Sequence, residues 1–188
     1  MRLVSAVLLC AVLLAGPALA QVPAPPADDA DLLALVQKAG ASADNGDADR
    51  VVVFKRTRVD VEDSGLAHFV DWQVIKCLTE KGAAQLARLR FDYDPSSNLV
   101  EIRRLRVLRA KGAPTVVAPD AAVDLPQPQQ AIYWGARMKV VPLPRLNVGD
   151  AVEVETYMKG FLIAYLDDLA RPTAGGGGGA AAFRRIAR

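Results

Sequence analysis

The sequence predicts an all-β domain, an antiparallel β-sandwich, in the middle of the chain. From Asp49 onwards apolar and polar residues alternate with a period of two, as they do on half-buried strands. Turn-forming residues separate these stretches at short intervals. No convincing long helix lies between them. Together these observations are typical of a sandwich or a barrel-like sheet.

The first 20 residues have the features of a secretory signal peptide. Arg2 supplies positive charge, residues 3–16 are apolar but too few to cross a bilayer comfortably, and Ala18–Ala20 fits the small-x-small cleavage rule. We expect cleavage after Ala20 and a secreted or periplasmic mature protein. Cys10 is a poor lipid-attachment site because Leu9 before it is bulky. No later stretch approaches 18 apolar residues, so we expect no stable membrane insertion after cleavage.

Residues 21–48 are predicted to be a linker that contains one short helix. Gln21–Ala30 is rich in proline and acidic residues, which favours an extended chain. Asp31–Ala39 can form a helix, with Asp31 as its N-cap and with Leu32, Leu35 and Val36 on one face. A helix of this length is marginal unless it docks on the domain.

The β-sandwich is predicted to span residues 49–168. Its first strand places one set of alternating residues on one face, interrupted by Lys55: Val51, Val53, Thr57, Val59 and Val61. The second strand has His68, Val70, Trp72 and Val74 on one side, and Phe69, Asp71, Gln73, Ile75 and Cys77 on the other. Thr79–Gly82 is predicted to be a break.

Two further strands flank a turn at Asp94–Asn98. The strand before the turn points Leu89, Phe91 and Tyr93 to one side. In the strand after it, the apolar positions change from even to odd at Arg103–Arg104, which predicts a β-bulge. Residues 118–130 are polar and interrupted by proline, so we expect them to cross the molecule rather than to pair tightly.

The stretch from Arg137 to Met158 is predicted to be a hairpin at the edge of a sheet. Pro142 and Pro144 would protect this edge from aggregation. The returning strand points Val152, Val154, Thr156 and Met158 inward, and Glu153 and Glu155 outward. Its outer face, which includes Tyr157, is a candidate surface for a partner domain. Ordinary closure of the sheet is the simpler interpretation.

Residues 169–188 are predicted to be a disordered tail. Five consecutive glycines and three alanines cannot build a core. The change in composition is abrupt and follows an apolar stretch at Gly160–Asp168. A frameshift or truncation near residue 168 therefore explains the tail better than a natural flexible terminus does.

The chain lacks the residues of a recognisable catalytic or metal site. Cys77 is the only cysteine after the signal peptide, and His68 is the only histidine. Cys77 cannot form an internal disulfide, and its apolar neighbours favour a small buried residue over a reactive thiol. Nine residues apart on one strand, Cys77 and His68 face opposite sides and cannot act together. We expect no catalytic residues, no cofactor and no zinc site.

Three weaker patterns have simpler explanations. Asp92, Asp94 and Asn98 are more typical of a turn than of a calcium loop, since they lack the glycine and distal glutamate of an EF-hand. The terminal glycines lack the Lys-Ser/Thr partner of a P-loop. The net charge is only +2, and a nucleic-acid-binding footprint would need a concentrated basic face, so we expect no nucleic-acid partner. A solvated strand face, or else a patch for an anionic partner, accounts for Arg103, Arg104, Arg106 and Arg109.

Several short motifs occur in an order that points to a known family. A break at Gly82 precedes a strand that ends in Phe91–Pro95, and a later strand ends in the turn Lys111–Gly112. A last group follows, formed by Tyr133, Arg137, Pro142, Pro144, Gly149 and Asp150. Over residues 49–168 the chain resembles the domain of unknown function that precedes transglutaminase-like domains in secreted bacterial proteins.

This resemblance implies a β-sandwich that is exported to the periplasm or cell surface. It also implies that a Cys-His-Asp transglutaminase-like domain normally follows. Nothing in this chain matches the catalytic residues of that domain, so none is carried over. Relatives continue past Asp168 with folded sequence, whereas this chain turns to glycine.

We therefore expect a non-catalytic accessory domain that positions a transglutaminase-like domain or its substrate. The alternative is a free-standing module that binds carbohydrate or peptide. Its possible binding surface comprises Trp72, Tyr133, Trp134 and Tyr157. A third hypothesis, an enzyme fragment that is inactive as it stands, predicts aggregation through an exposed apolar interface.

Overall fold

Two facing β-sheets form the body of the protein in the computed structural model, which describes residues 28–128, 135–161 and 179–186. The strands are β1 (Arg50–Glu62), β2 (Ala67–Cys77), β3 (Arg88–Tyr93), β4 (Asn98–Leu108), β5 (Thr115–Val116), β6 (Val123–Pro126), β7 (Arg137–Pro142), β8 (Ala151–Gly160) and β9 (Gly179–Ile186). The helices are α1 (Asp29–Lys38) and α2 (Glu80–Leu86), with short 3-10 helices at Ala43–Asn45 and Pro119–Ala121.

The large sheet has the strand order β5-β4-β8-β2-β1-β9 and the small sheet the order β3-β7-β6. All neighbouring strands are antiparallel except β1 and β9, which run parallel. Neither sheet closes into a barrel, so the prediction of an all-β antiparallel sandwich is confirmed.

The main core lies between the two sheets. Alternation along β8 turns Val152 and Val154 towards the small sheet, where Val141 of β7 meets them. Leu89 and Phe91 of β3 pack against the same cluster, as the pattern predicted. In β4 the register shifts between Ile102 and Arg104, which confirms the predicted bulge.

Helix α1 covers one end of the large sheet on the side away from the small sheet. Its buried residues, Leu32 and Val36, pack against Val74 of β2 and Leu108 of β4. The predicted short helix is thus present and docked. Its N-cap is Asp28 rather than Asp31, because the Asp28 carboxylate accepts a hydrogen bond from the Asp31 amide at 2.9 Å.

The prediction that β7 and β8 form a hairpin is wrong. β7 pairs with β3 and β6 in the small sheet, whereas β8 lies between β4 and β2 in the large one. The connection, residues 143–150, crosses from one sheet to the other and buries Leu146 on the way. Strands adjacent in sequence usually pair, but a connection of this length lets each join a different sheet.

Four local predictions also need correction. Residues 118–130 include β6, which pairs with β7 instead of only crossing the molecule. The break at Thr79–Gly82 is the start of α2, capped by the Thr79 hydroxyl. A register shift between Val52 and Phe54 in β1 divides the valines that were predicted to share one face. The tail is not entirely without regular structure, because Gly179–Ile186 forms β9 against β1.

Several predictions concern residues outside the described ranges. These are the signal peptide (1–20), most of the proline-rich linker, Tyr133 and Trp134, and the stretch 162–178. Among the described residues, no helix has the length and apolar character needed to cross a membrane.

Candidate functional site

The outer face of the large sheet, on the side away from the core, gathers most of the polar and aromatic side chains of interest. Alternation along β2 turns Trp72 and His68 to this face, and alternation along β8 does the same for Tyr157. Trp72 lies opposite Glu155 and Tyr157 lies opposite Val70, so the two aromatic residues are diagonal neighbours. The predicted assignment of β2 residues to the two faces is confirmed.

A buried carboxylate anchors the half of this face that lies beneath α1. The Glu153 side chain is fully buried, and it accepts hydrogen bonds from three groups. The Trp72 indole N–H donates at 3.0 Å, Arg104 at 3.2 Å and Arg106 at 2.6 Å. Glu153 was predicted to point outward. It does lie on the outer face, but α1 and the two arginines cover it.

Arg106 connects this carboxylate to the helix above it. Its guanidinium donates two further hydrogen bonds to Asp29 in the first turn of α1, at 2.8 and 3.0 Å. The hydrogen bond from Arg106 is the main reason that the pKa of Asp29 lies below its usual range. The helix is therefore held by polar contacts as well as by the burial of Leu32 and Val36.

A second cluster lies on the open half of the face and joins four adjacent strands. The Tyr157 hydroxyl is 2.7 Å from Nδ1 of His68, and a Glu62 carboxylate oxygen is 3.0 Å from Nε2. With its proton on Nε2, the imidazole donates to Glu62 and accepts from Tyr157. The guanidinium of Arg103 lies 3.9 Å from the centre of the Tyr157 ring. These contacts fix the position of the Tyr157 side chain.

Cys77 lies on the other side of the same sheet, as predicted. It is fully buried in the core between the sheets. Burial, and to a smaller extent the nearby Asp150 carboxylate, raises the pKa of the Cys77 thiol to about 11. The sheet separates this thiol from His68, so the two cannot form a nucleophile–base pair.

Of the four aromatic residues that were predicted to form a binding surface, the structure describes Trp72 and Tyr157. Trp72 contacts Phe54 edge-to-face at 4.7 Å between ring centres, and it donates its indole proton to Glu153. One face of Tyr157 is covered by Arg103. Both residues are half-buried and engaged with neighbours rather than free for stacking. Tyr133 and Trp134 lie outside the described residues.

The arginines of β4, and Arg109 directly after it, have individual partners. Arg104 and Arg106 bind Glu153, Arg103 covers Tyr157, and Arg109 binds Asp150 at 2.8 Å. The first three lie on or beside the outer face. They contact other protein groups there, so this is not the simply solvated strand face that was expected. In the described part of the chain no cluster of three His, Cys, Asp or Glu residues has the arrangement of a metal site. The Asp94–Asn98 segment forms the predicted turn, in which Asp94 accepts hydrogen bonds from Ser96.

The two polar clusters could not be found from sequence spacing. Glu153 is 81 positions from Trp72, and Tyr157 is 89 positions from His68. The only available indication was a glutamate inside the apolar stretch Ala151–Val154. Its meaning depends on which strands become the neighbours of β8.

A family comparison covers most of this architecture. The model of a domain of unknown function with a solved structure, DUF3857, matches residues 63–174, more than half of the chain. The chain belongs to the DUF3857 family. The matched region of this DUF3857 domain begins after β1, although β1 pairs with β2 along nearly its whole length and α1 packs on the same sheet. The folded unit is therefore longer at its N-terminal end than the matched region.

A solved structure shares the fold of this DUF3857 domain. It is the crystal structure of a "putative protease" from Parabacteroides distasonis ATCC 8503, with a TM-score of 0.54 and 14% sequence identity. The match covers 64% of the present chain but only 24% of that protein. The match thus spans about a quarter of the length of that protein. No protein of curated function matches the sequence.

Proposed function

We propose that this DUF3857 domain is an exported, non-catalytic accessory module. In this proposal it precedes a transglutaminase-like domain with a Cys-His-Asp site, and it positions that domain or its substrate. Export rests on the signal-peptide features of residues 1–20. The transglutaminase-like partner rests on the family resemblance of the motifs between residues 49 and 168.

The position of Cys77 carries the non-catalytic part of the proposal. A thiol nucleophile needs an accessible thiolate and a base within hydrogen-bonding reach. Cys77 is fully buried, its pKa is raised to about 11, and the only histidine in the chain lies on the opposite side of the sheet. The chemistry of such a protein would then depend on residues in another domain.

The accessory role is supported by the relation to the solved structure. The shared fold spans about a quarter of the length of a protein that is named a "putative protease". A compact sandwich, with α1 fixed to one sheet by Leu32, Val36 and the Arg106–Asp29 contact, is a suitable rigid support for a neighbouring domain.

The first test is a verified sequence of the gene beyond codon 168, translated in all frames. The proposal predicts sequence typical of a folded domain, with a cysteine, a histidine and an aspartate, in this reading frame or in another one. A confirmed stop after Arg188, with no such domain in any frame, would contradict the transglutaminase partnership. The DUF3857 domain would then act alone.

The second test is an amide-hydrolysis assay of the purified chain from Gln21 to Arg188. We expect no turnover above the uncatalysed rate. Turnover above that rate would overturn the non-catalytic proposal. Its loss in Cys77→Ala, with folding confirmed by circular dichroism, would identify the thiol as the nucleophile.

A further inference from the structure

The chain leaves the large sheet beside a small group of exposed side chains. The last residues of β8 pair with the first residues of β4, Gly160 with Asn98 and Lys159 with Leu99. Leu99 is 45% exposed and Phe161, the residue after β8, is 61% exposed. Tyr157 and Glu101 form the next pair along the same face. We name this group the exit patch; it comprises Leu99, Glu101, Arg103, Tyr157, Lys159 and Phe161.

The charged members of the exit patch are available for a partner. Within the described residues, the Arg103 side chain contacts the Tyr157 ring but makes no ion pair, and neither the Glu101 nor the Lys159 side chain has a hydrogen-bonded partner. All three side chains are exposed. The patch therefore combines two apolar residues with unpaired charges of both signs, which suits a polar and apolar protein surface better than a uniformly charged ligand.

The central side chains of the exit patch are held in place before any partner binds. His68 fixes the Tyr157 hydroxyl at 2.7 Å, and Glu62 fixes His68 at 3.0 Å. The guanidinium of Arg103 lies over the ring that these contacts hold. Tyrosine and arginine are enriched among the residues that dominate binding energy, and prior fixation lowers the entropy cost of association.

We propose that the exit patch is the docking surface for the folded domain that follows β8 in the longer protein. This inference rests on the proposed function and specifies where its partner sits. The chain leaves β8 next to the patch and returns as β9, whose last residue, Ile186, pairs with Glu62 of β1. This is the end of the sheet that carries the patch, because Gly160 pairs with Ala67 and Ala67 pairs with Val61. A domain that follows in the chain therefore starts at that end, and the tether gives it a high effective concentration there.

The size of the exit patch favours a tethered domain over a second copy of the chain. Stable complexes between free proteins bury roughly 20–30 residues on each side. The exit patch has far fewer members. Contacts between domains of one chain persist with smaller and more polar interfaces, because association is intramolecular. A glycan would need an open aromatic face, and Arg103 covers that of Tyr157.

The test uses the continuous protein encoded by the gene, including the domain after β8, with a lysine-reactive cross-linker and mass spectrometry. Lys159 lies in the exit patch, and Lys111 is an exposed control in the turn between β4 and β5, at the other end of the sheet. We expect Lys159 to cross-link to the following domain and Lys111 not to. Leu99→Asp and Phe161→Asp should each reduce the Lys159 cross-links by about tenfold.

Val116→Asp is the matched control, since Val116 is 72% exposed at the far end of the same sheet. It should leave the Lys159 cross-links unchanged. Equal cross-linking of Lys159 and Lys111, or equal effects of the three aspartate variants, would overturn the docking site while leaving the proposed function intact. A gene without a following domain overturns both. Self-association of the 188-residue chain that Leu99→Asp abolishes would identify a second copy as the occupant and overturn the proposal.

Discussion

The fully buried carboxylate of Glu153 lies 2.6 Å from the guanidinium of Arg106, in the centre of the large sheet. The same guanidinium holds Asp29 of α1, so one arginine joins the central strand β8 to the N-terminal helix. A charge removed from water is costly unless its partners are complete. Glu153, Arg104, Arg106 and Trp72 should therefore behave as one stability unit.

Replacing Glu153 with leucine should destabilise the domain by about 3–5 kcal/mol, because the partly buried Arg106 would lose its buried partner and keep only the exposed Asp29. Urea unfolding monitored by circular dichroism measures this change. Glu155→Leu is the matched control, two positions along the same strand and only half-buried, and should cost under about 1 kcal/mol. A similar loss of unfolding free energy in both variants would show that the Glu153 contacts contribute no more to stability than those of Glu155.

Asp150 ends the connection between β7 and β8, and it binds Arg109 and Ala110, which follow β4. Lowering the pH should weaken this contact. Burial alone would raise the pKa of Asp150, but hydrogen bonds from the Ala110 and Asn147 amides and from Arg109 outweigh it, and the pKa lies below its usual range. A carboxylate with a depressed folded pKa adds stability above its unfolded pKa, near 3.9, and that stability is lost as pH falls through the folded value.

The free energy of unfolding should therefore fall less with acidification in Asp150→Asn than in the unmodified protein. Unfolding curves at pH 7 and at several values below about pH 4 give this comparison. Asp120→Asn, in an exposed 3-10 helix, is the control and should follow the unmodified protein. An Asp150→Asn curve parallel to the control would exclude this contribution.

The Cys77 thiol should be unreactive in the native state. It is fully buried and its pKa of about 11 leaves it protonated at pH 8. Labelling of the mature chain with a thiol-specific disulfide reagent should be slow and should accelerate greatly in denaturant. Rapid labelling of the native protein, at the rate found in denaturant, would contradict the described packing.

Gly82 should not tolerate a side chain. A Cβ atom at this position in α2 would lie 1.9 Å from the Asp49 carbonyl oxygen, a backbone atom that cannot move alone. We expect Gly82→Ala to destabilise the domain by about 1–3 kcal/mol, measured as a shift in the urea midpoint. Gly135→Ala, where the added atom meets nothing within 4 Å, should have little effect, and equal shifts would count against the close approach.

The features that sequence predicted correctly depend on neighbours along one strand. Period-two alternation assigned Trp72 and Cys77 to opposite faces of β2, and a change of phase located the bulge beside Arg103. The ordered motifs between Gly82 and Asp150 also indicated a resemblance to a domain of unknown function, and the model of such a domain matches residues 63–174. These properties follow from the geometry of a single extended chain.

The pairing of strands with one another could not be predicted as well from the sequence. β7 and β8 are close in sequence and were expected to form a hairpin, yet each belongs to a different sheet. The bulge in β1 at Val53 likewise changed which residues reach the core. A sequence pattern gives the two faces of a strand, but it does not state which partner lies beside it.

By itself, the sequence determined the all-β class, the faces of β2, β3 and β8 and the separation of Cys77 from His68. Only the tertiary structure decided that Glu153 is buried and that Glu62, His68, Tyr157 and Arg103 meet on one surface. The reason is physical. Alternation is set by the local backbone, whereas burial and hydrogen bonding of a polar side chain depend on strands that are many residues away.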